Sequence, residues 1–177
     1  NTDKTTIICH FEKPLVSHRR IVIAAPPLTE HENGFELWFG KMAKLAQELS
    51  ISIQLYCNAS TLKSIKKLVK DSKISATITS SLFSDWEDFQ DLSKNVREND
   101  LFILVSAREG AASYMVMLEN LPSKMEKHFP NNSRLIIYPH QFVQSFGSKR
   151  YDQINPEPIH KGIETIQKIG KGIGNIF

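Results

Sequence analysis

The sequence has few of the features that staple small proteins or anchor membrane proteins. It holds only two cysteines, Cys9 and Cys57, which show no paired spacing. We expect them to be reduced thiols of a cytosolic protein, although a disulfide between them stays open. The apolar runs are only a few residues long, so the sequence predicts no bilayer-spanning helix and no secretory signal. With 177 residues, 41% of them hydrophobic, the chain can bury a core without metals or disulfides.

Signatures of catalysis and of metal binding are also missing. No serine lies in a G-x-S-x-G elbow and no Cys–His arrangement can be argued, so the sequence does not favour an enzyme. None of the six histidines pairs with another ligand at helical metal spacing. His31 lies beside Glu30, Glu32 and Glu36, which is more typical of loop charge before a helix N-terminus than of a metal site. We expect no catalytic residues, no metal and no cofactor.

The charge is too balanced to argue for a nucleic-acid partner. There are 22 basic and 19 acidic residues, which gives a net charge of +3. One predicted helix carries an outward row of lysines: Lys63, Lys66, Lys67, Lys70 and Lys73. Such a row can contact anionic lipid headgroups or can simply be solvated.

The middle of the chain alternates between strand and helix periodicity. Five short apolar runs have the composition of strands: 20–26, 52–57, 74–79, 101–105 and 134–138. Four segments with helical spacing separate them: 35–49, 60–70, 85–96 and 114–129, the last containing Pro122, which should break or kink it. This alternation predicts right-handed crossovers and parallel pairing. The predicted fold class is α/β, a doubly wound, mostly parallel five-stranded sheet flanked by helices, with 101–105 central.

Two long segments carry a resemblance to a known family. They are RIVIAAPPLTEHENGFELWFGKMAKLAQEL at 20–49 and DLFILVSAREGAASYMVMLENLPSKMEKHFPNNSRLIIYPHQF at 100–142. Both closely resemble the second cytoplasmic, universal-stress-protein-like domain of bacterial sodium(cation)/proton antiporters. The most specific parts are the PP…E…GF…W opening and the VSAR.G..SY turn, and the resemblance covers about 5–142.

The resemblance implies a fold and a function. The fold is that of universal stress proteins and adenine nucleotide alpha hydrolases. The function is that of a non-catalytic regulatory or assembly domain on the cytoplasmic side of the bacterial inner membrane, whose partner is the transmembrane domain of the same antiporter. Residues 1–16 would be a strand remnant of a preceding domain, 17–142 the stress-protein-like domain, and 143–177 a basic, partly helical tail.

The family's usual strand order also bears on self-association. It places 134–138 at a sheet edge, and an exposed edge is a template for another strand. The apolar run at 5–11 has no parent sheet in this chain. We expect it to add to a sheet edge of its own core or of a second copy, and we expect a homodimer.

A candidate ligand site follows from two loops. In a doubly wound sheet, ligands bind beyond the carboxyl ends of the strands near the switch in strand order, where the loops 25–33 and 106–113 are expected to meet. The second loop offers small residues, hydroxyls, one cation and a predicted helix start, which suit a phosphate or another anion. The candidate site residues are Ser106, Arg108, Gly110 and Ser113.

The same loop also has a purely structural interpretation. It would be a glycine turn capped by Ser113, with Arg108 paired to Glu109 or Glu30. Nucleotide-binding stress proteins carry G-x-x-G followed by G-S/T, whereas this stretch has Gly110 alone. The resemblance therefore implies at most a weak anion or nucleotide ligand. The alternatives are a free-standing universal-stress-type protein that binds an adenine nucleotide and a small adenylate hydrolase.

Overall fold

The computed structural model describes residues 4–141, which fall within one compact unit. In this range the strands are β1 (Thr6–His10), β2 (Arg20–Ala24), β3 (Ser52–Cys57), β4 (Ile78–Leu82), β5 (Asp100–Val105) and β6 (Arg134–Tyr138). The α-helices in this range are α1 (Phe35–Glu48), α2 (Ala59–Asp71) and α3 (Leu121–His128). Short 3₁₀ helices lie at Leu15–Ser17, Thr29–His31, Phe89–Lys94 and Val116–Leu118. The predicted tail at 143–177 lies outside the described residues.

The strands of the described chain form one six-stranded sheet in the order β1-β6-β5-β2-β3-β4. The strands from β6 to β4 run parallel, and β1 is antiparallel to β6. Strands β3 and β4 lie on one side of β2, and β5 and β6, which come later in the sequence, lie on the other side. The switch in strand order is therefore between β2 and β5. The prediction of a doubly wound, mostly parallel α/β sheet is confirmed, with six strands rather than five.

Alternate residues of the central strands supply two apolar layers. Strand β5 is buried along its whole length. Its odd-numbered residues, such as Ile103, pack in the layer of α1 and α2. Its even-numbered residues, such as Phe102, pack in the layer of Phe89–Lys94 and α3. The prediction that 101–105 is a central strand is therefore confirmed, and both of its faces are covered.

The helix starts near the candidate site are fixed by local contacts. Helix α1 begins at Phe35 after Gly34, whose backbone N donates to the His140 carbonyl at 2.8 Å. A Cβ on Gly34 would lie 2.4 Å from the backbone N of His140, so this approach requires glycine. Helix α2 follows its N-cap Asn58, whose side chain accepts from the Thr61 amide at 2.8 Å.

The helix predicted over 85–96 is instead the short 3₁₀ helix Phe89–Lys94. The helical spacing places Trp86, Phe89, Leu92 and Val96 on the core face; the first three are buried and Val96 is partly buried. The three buried residues recur every third position, which matches the three residues per turn of a 3₁₀ helix, although Trp86 lies just before that helix. The spacing therefore identified the buried face and misidentified the kind of helix.

Pro122 begins a helix rather than interrupting one, so the helix predicted over 114–129 is wrong in extent. The chain forms one 3₁₀ turn, then Asn120 has φ 53°, and α3 starts at Leu121. Proline suits a first helical turn because its missing amide has no partner to lose there. Four apolar residues of this segment, which helical spacing places on the side facing the core, are buried: Leu118, Leu121, Met125 and Phe129.

The strand predicted over 74–79 lies further along the chain, at Ile78–Leu82. Helix α2 ends in a turn at residues 72–73, in which Lys73 has φ 51°. The Ile74 backbone N donates back to the Val69 carbonyl at 3.1 Å, so the first residue of the predicted strand is bound to the helix end. Ile74 and Ala76 still pack against the core, but from a loop. Their apolar character therefore reflects burial without strand pairing.

Strand β1 covers the edge that was predicted for 134–138. It pairs antiparallel with β6, with Ile8 opposite Ile136. The edge position predicted for 134–138 is therefore wrong, because β1 supplies another strand. The prediction that the run at 5–11 adds to a sheet edge is confirmed, and its partner is its own core.

Candidate functional site

The two loops of the candidate site leave neighbouring strands at one end of the sheet. Strands β2 and β5 pair in parallel, with Ala24 opposite Leu104. The loops 25–33 and 106–113 therefore both begin at the switch in strand order, as predicted. This is the position at which doubly wound folds bind ligands.

A carboxylate of the loop 25–33 forms hydrogen bonds with the loop 106–113. Glu32 Oε1 accepts hydrogen bonds from the Ser113 backbone N at 2.8 Å and from Ser113 Oγ at 2.7 Å. Both residues are buried, with 6% and 2% of their surface exposed. An amide and a hydroxyl are also the donors that would bind a phosphate here. The Glu32 carboxylate therefore already occupies the two Ser113 donors that an external anion would need.

Arg108 is held by backbone and hydroxyl oxygens. Its Nη1 donates to the Pro139 carbonyl at 2.9 Å. Its Nη2 donates to the Lys4 carbonyl at 2.8 Å and to Thr6 Oγ1 at 3.0 Å. The guanidinium therefore fastens the start of β1 to the segment that follows β6.

Neither acid proposed as a partner of Arg108 pairs with it within the described chain, so the ion pair expected with Glu109 or Glu30 is wrong. Glu30 instead accepts hydrogen bonds from Ser60 Oγ at 2.7 Å and from Thr61 Oγ1 at 2.6 Å, at the start of α2. Partial burial by itself would raise the pKa of Glu30. The hydrogen bonds from Thr61 and Ser60 outweigh it and lower that pKa below its ordinary value.

Ser106 and Gly110 shape the loop. Ser106 is buried, and its backbone N donates to the Ile137 carbonyl at 2.9 Å, which ties the loop to β6. Gly110 has φ 84°, a left-handed conformation that favours glycine. The α-helix predicted to start in this loop begins only at Leu121. The helix N-terminus invoked for anion binding is therefore not at this loop.

Sequence reasoning missed the segment 139–141, which crosses the same end of the sheet. Gln141 Oε1 accepts from the Arg108 backbone N at 3.0 Å. The His140 backbone N donates to Thr5 Oγ1 at 2.9 Å, while its carbonyl accepts from Gly34. The segment 139–141 thereby joins the loop 106–113, the start of β1 and the start of α1. This end of the sheet, between the loops 25–33 and 106–113, is called the crevice below. The only local signal in the sequence was the proline at 139 that ends β6.

The acidic group around His31 is divided between two elements. Glu30 turns to the start of α2, and Glu32 turns to Ser113. In residues 4–141, no three His, Cys, Asp or Glu side chains converge as metal ligands. The first loop therefore supplies two carboxylates to two different structural contacts.

Comparison with known proteins adds no assignment to this geometry. No protein-family model matches the chain, and neither curated proteins nor solved structures give a significant match. The fold of residues 4–141 defines the class, an α/β protein with a six-stranded, mostly parallel, Rossmann-like sheet in that range.

Proposed function

We propose that this chain is a non-catalytic regulatory or assembly domain of a bacterial sodium(cation)/proton antiporter, with a universal-stress-protein-like fold, on the cytoplasmic side of the inner membrane. One observation carries the proposal. Glu32 lies within the stretch PPLTEHENGFELW and Ser113 is the second serine of VSAREGAASY, so the two stretches that resemble this family bind each other. The two stretches that carry the resemblance are therefore joined by the Glu32–Ser113 hydrogen bonds, at the switch in strand order.

The state of the crevice supports a module that binds or assembles rather than one that turns over substrate. Ser113 is 2% exposed and its hydroxyl donates to Glu32, so this hydroxyl is not presented to a substrate. The Arg108 guanidinium is held by oxygens of the chain itself. An anion or nucleotide would have to break these contacts, which supports weak binding at most.

The proposed partner is the transmembrane domain of the same antiporter. No helix in the part of the chain that the structure describes is both long enough and apolar enough to cross a bilayer. Regulation by such a domain requires that it bind two transport states with different affinity. Its outer faces and sheet edges are the surfaces available for that contact.

The complete open reading frame gives the first test. We expect about ten or more apolar segments of about 20 residues upstream of this chain, each long enough to span a bilayer. A reading frame without them contradicts the proposal. Transport in everted vesicles, with and without this region, then measures its effect on ion affinity or rate, and identical transport in both contradicts a regulatory role.

Calorimetry with ATP distinguishes the antiporter domain from the main alternative, a free-standing protein that binds an adenine nucleotide. We expect no hydrolysis of ATP and weak binding of ATP or none. The donors that ATP phosphates would need are already engaged, Ser113 by Glu32 and Arg108 by backbone carbonyls. Micromolar affinity for ATP would favour a free-standing nucleotide-binding protein instead.

The proposed homodimer has a candidate surface at β1. This strand lies at one edge of the described sheet, and Ile8 and Phe11 are 43% and 47% exposed. Unpaired edge backbone together with apolar side chains favours pairing with a second copy. Light scattering should report a dimer for the full chain and a monomer for Ile8→Lys, because lysine on an edge opposes pairing. A monomeric full chain would contradict the dimer.

A further inference from the structure

Helix α2 has one face in the core and the opposite face in solvent. Thr61 and Ile65 are buried, and Leu68 and Val69 pack against the same apolar layer. The opposite face, with the turn that follows it, carries five exposed lysines: Lys63, Lys66, Lys67, Lys70 and Lys73. These five residues are called the lysine face below.

The charge of the lysine face is largely unneutralised. Asp71 is the single carboxylate of α2, and Glu30, at the start of the helix, is bound by Ser60 and Thr61. No lysine of the face forms an ion pair within residues 4–141. Ion pairs of lysines elsewhere in that range are seen at Lys13, Lys44 and Lys94.

The composition of the lysine face favours one of three possible anionic partners, which are a protein, a nucleic acid and a lipid surface. Specific protein interfaces centre on aromatic and arginine anchors and are poor in lysine. None of the large exposed apolar side chains of the described residues lies on α2. Nucleic acids are read by Arg, Asn, Gln and stacked aromatics, which the lysine face also lacks. A fluid layer of anionic headgroups requires no fixed geometry, and flexible lysine stems can reach it.

We propose that the lysine face of α2 binds the surface of an anionic lipid bilayer. The inference rests on this helix face alone and goes beyond the proposed function, which names the transmembrane domain and not lipid as the partner. The apolar face of α2 belongs to the core, so the helix binds through charge and does not insert. Binding of this kind is reversible and weakens as salt screens the charges.

The test is co-sedimentation of the full chain with vesicles of phosphatidylcholine, alone or mixed with phosphatidylserine. The first variant is Lys63→Gln, Lys66→Gln, Lys67→Gln and Lys70→Gln. The matched control removes the same charge from exposed lysines outside α2: Lys41→Gln, Lys44→Gln, Lys94→Gln and Lys127→Gln. Glutamine and lysine have similar helix propensity, and circular dichroism checks that both variants are folded.

We expect the full chain to sediment with the mixed vesicles at low salt and to be released at high salt. Since each lysine near an anionic surface contributes roughly a five-fold factor, the first variant should lose at least about 100-fold in affinity. The control should lose less than about ten-fold, because its lysines lie away from the bound face.

Three results overturn the inference. They are no binding by the full chain, equal losses in the two variants, and tighter binding of the lysine face to a single-stranded oligonucleotide than to vesicles. The third would identify a nucleic-acid surface. The reading-frame and transport experiments are independent of these outcomes, so either proposal can fail while the other stands.

Discussion

Arg20 and Asp100 lie opposite each other at the amino ends of β2 and β5 and form a two-pronged ion pair. Arg20 Nε donates to Asp100 Oδ1 at 3.1 Å, and Nη2 donates to Oδ2 at 2.5 Å. The Arg97 backbone N also donates to Asp100 Oδ2, at 2.8 Å. The hydrogen bond to Asp100 raises the pKa of Arg20. The pair thus joins the two central strands at the end of the sheet remote from the crevice.

Asp100→Asn should lower the free energy of unfolding by about 2 kcal/mol, because it removes the negative charge opposite Arg20, whose side chain is 22% exposed and stays partly solvated. Asp100 is 2% exposed, so water cannot replace the carboxylate oxygen that accepts from the Arg97 backbone N. Urea denaturation measures the effect. Lys44→Gln, which breaks an exposed pair with Glu48, is the control and should cost less than about 1 kcal/mol. Equal losses in the two variants would contradict the assignment.

Two glycines of the α1 region should respond to alanine with opposite signs. At Gly34 a Cβ would lie 2.4 Å from a backbone atom of His140, so Gly34→Ala should destabilise by roughly 1–3 kcal/mol. At Gly40, inside α1, a Cβ meets nothing within 4 Å. Gly40→Ala should therefore stabilise by about 0.5–1 kcal/mol through helix propensity. Thermal denaturation of the two variants checks both signs, and a shift in the same direction would refute the argument.

Arg108→Lys should loosen β1 while leaving the rest of the sheet intact. Lysine cannot reproduce the forked contacts with Pro139, Lys4 and Thr6. Losing about 1.4 kcal/mol of local stability would speed amide exchange in β1 about ten-fold. Hydrogen exchange measured by NMR should show this in β1 and not in β3. Arg97→Lys serves as the control, since its exposed side chain makes no such contact, and unchanged exchange in the Arg108 variant would exclude the fastening role.

The two cysteines should differ sharply in reactivity. Cys9 is exposed, whereas Cys57 is buried and burial raises the pKa of its thiol to about 12. At pH 8 roughly one Cys57 thiol in ten thousand is ionised, and the thiolate is the reacting form. A thiol reagent should therefore modify one cysteine in the folded chain and both in denaturant. Cys9→Ser should leave the folded chain unreactive, and rapid reaction of that variant would contradict the burial of Cys57.

The disulfide that the sequence left open is not formed, because both cysteines are free thiols. Cys9 lies on β1 and Cys57 lies on β3. Strands β6, β5 and β2 separate β1 from β3 in the sheet. Neighbouring strands are about 4.8 Å apart, so the two sulfur atoms lie far beyond bonding distance.

The apolar pattern was sufficient to locate most of the sheet. Runs such as 101–105 are too short for buried helices and are bounded by turn residues, which leaves a strand as the consistent interpretation. The pattern was weaker where burial occurs without regular pairing. Ile74 and Trp86 are apolar because they contact the core, and periodicity alone could not show that one lies in a loop and the other precedes a 3₁₀ helix.

The contacts of the candidate site could be predicted only in part. Strand order placed the loops 25–33 and 106–113 together, because parallel strands end at one edge. Glu32 looked like any loop carboxylate, and its partner Ser113 lies 81 residues away. The acceptors of Arg108 are mostly backbone carbonyls, which every residue carries. Pairing that arginine with a nearby acid was therefore reasonable from the sequence and wrong in the structure.

The pairing of β1 with β6 has a consequence for the order of folding. Thr6 is paired with Tyr138, so β1, which is synthesised before the other strands of residues 4–141, waits for the last of them. Contacts between residues so far apart in sequence form slowly, because a large loop must close first. The five parallel strands should therefore assemble before β1 arrives. During that interval β6 is an open edge, and the nascent chain is then most exposed to pairing with strands of other molecules.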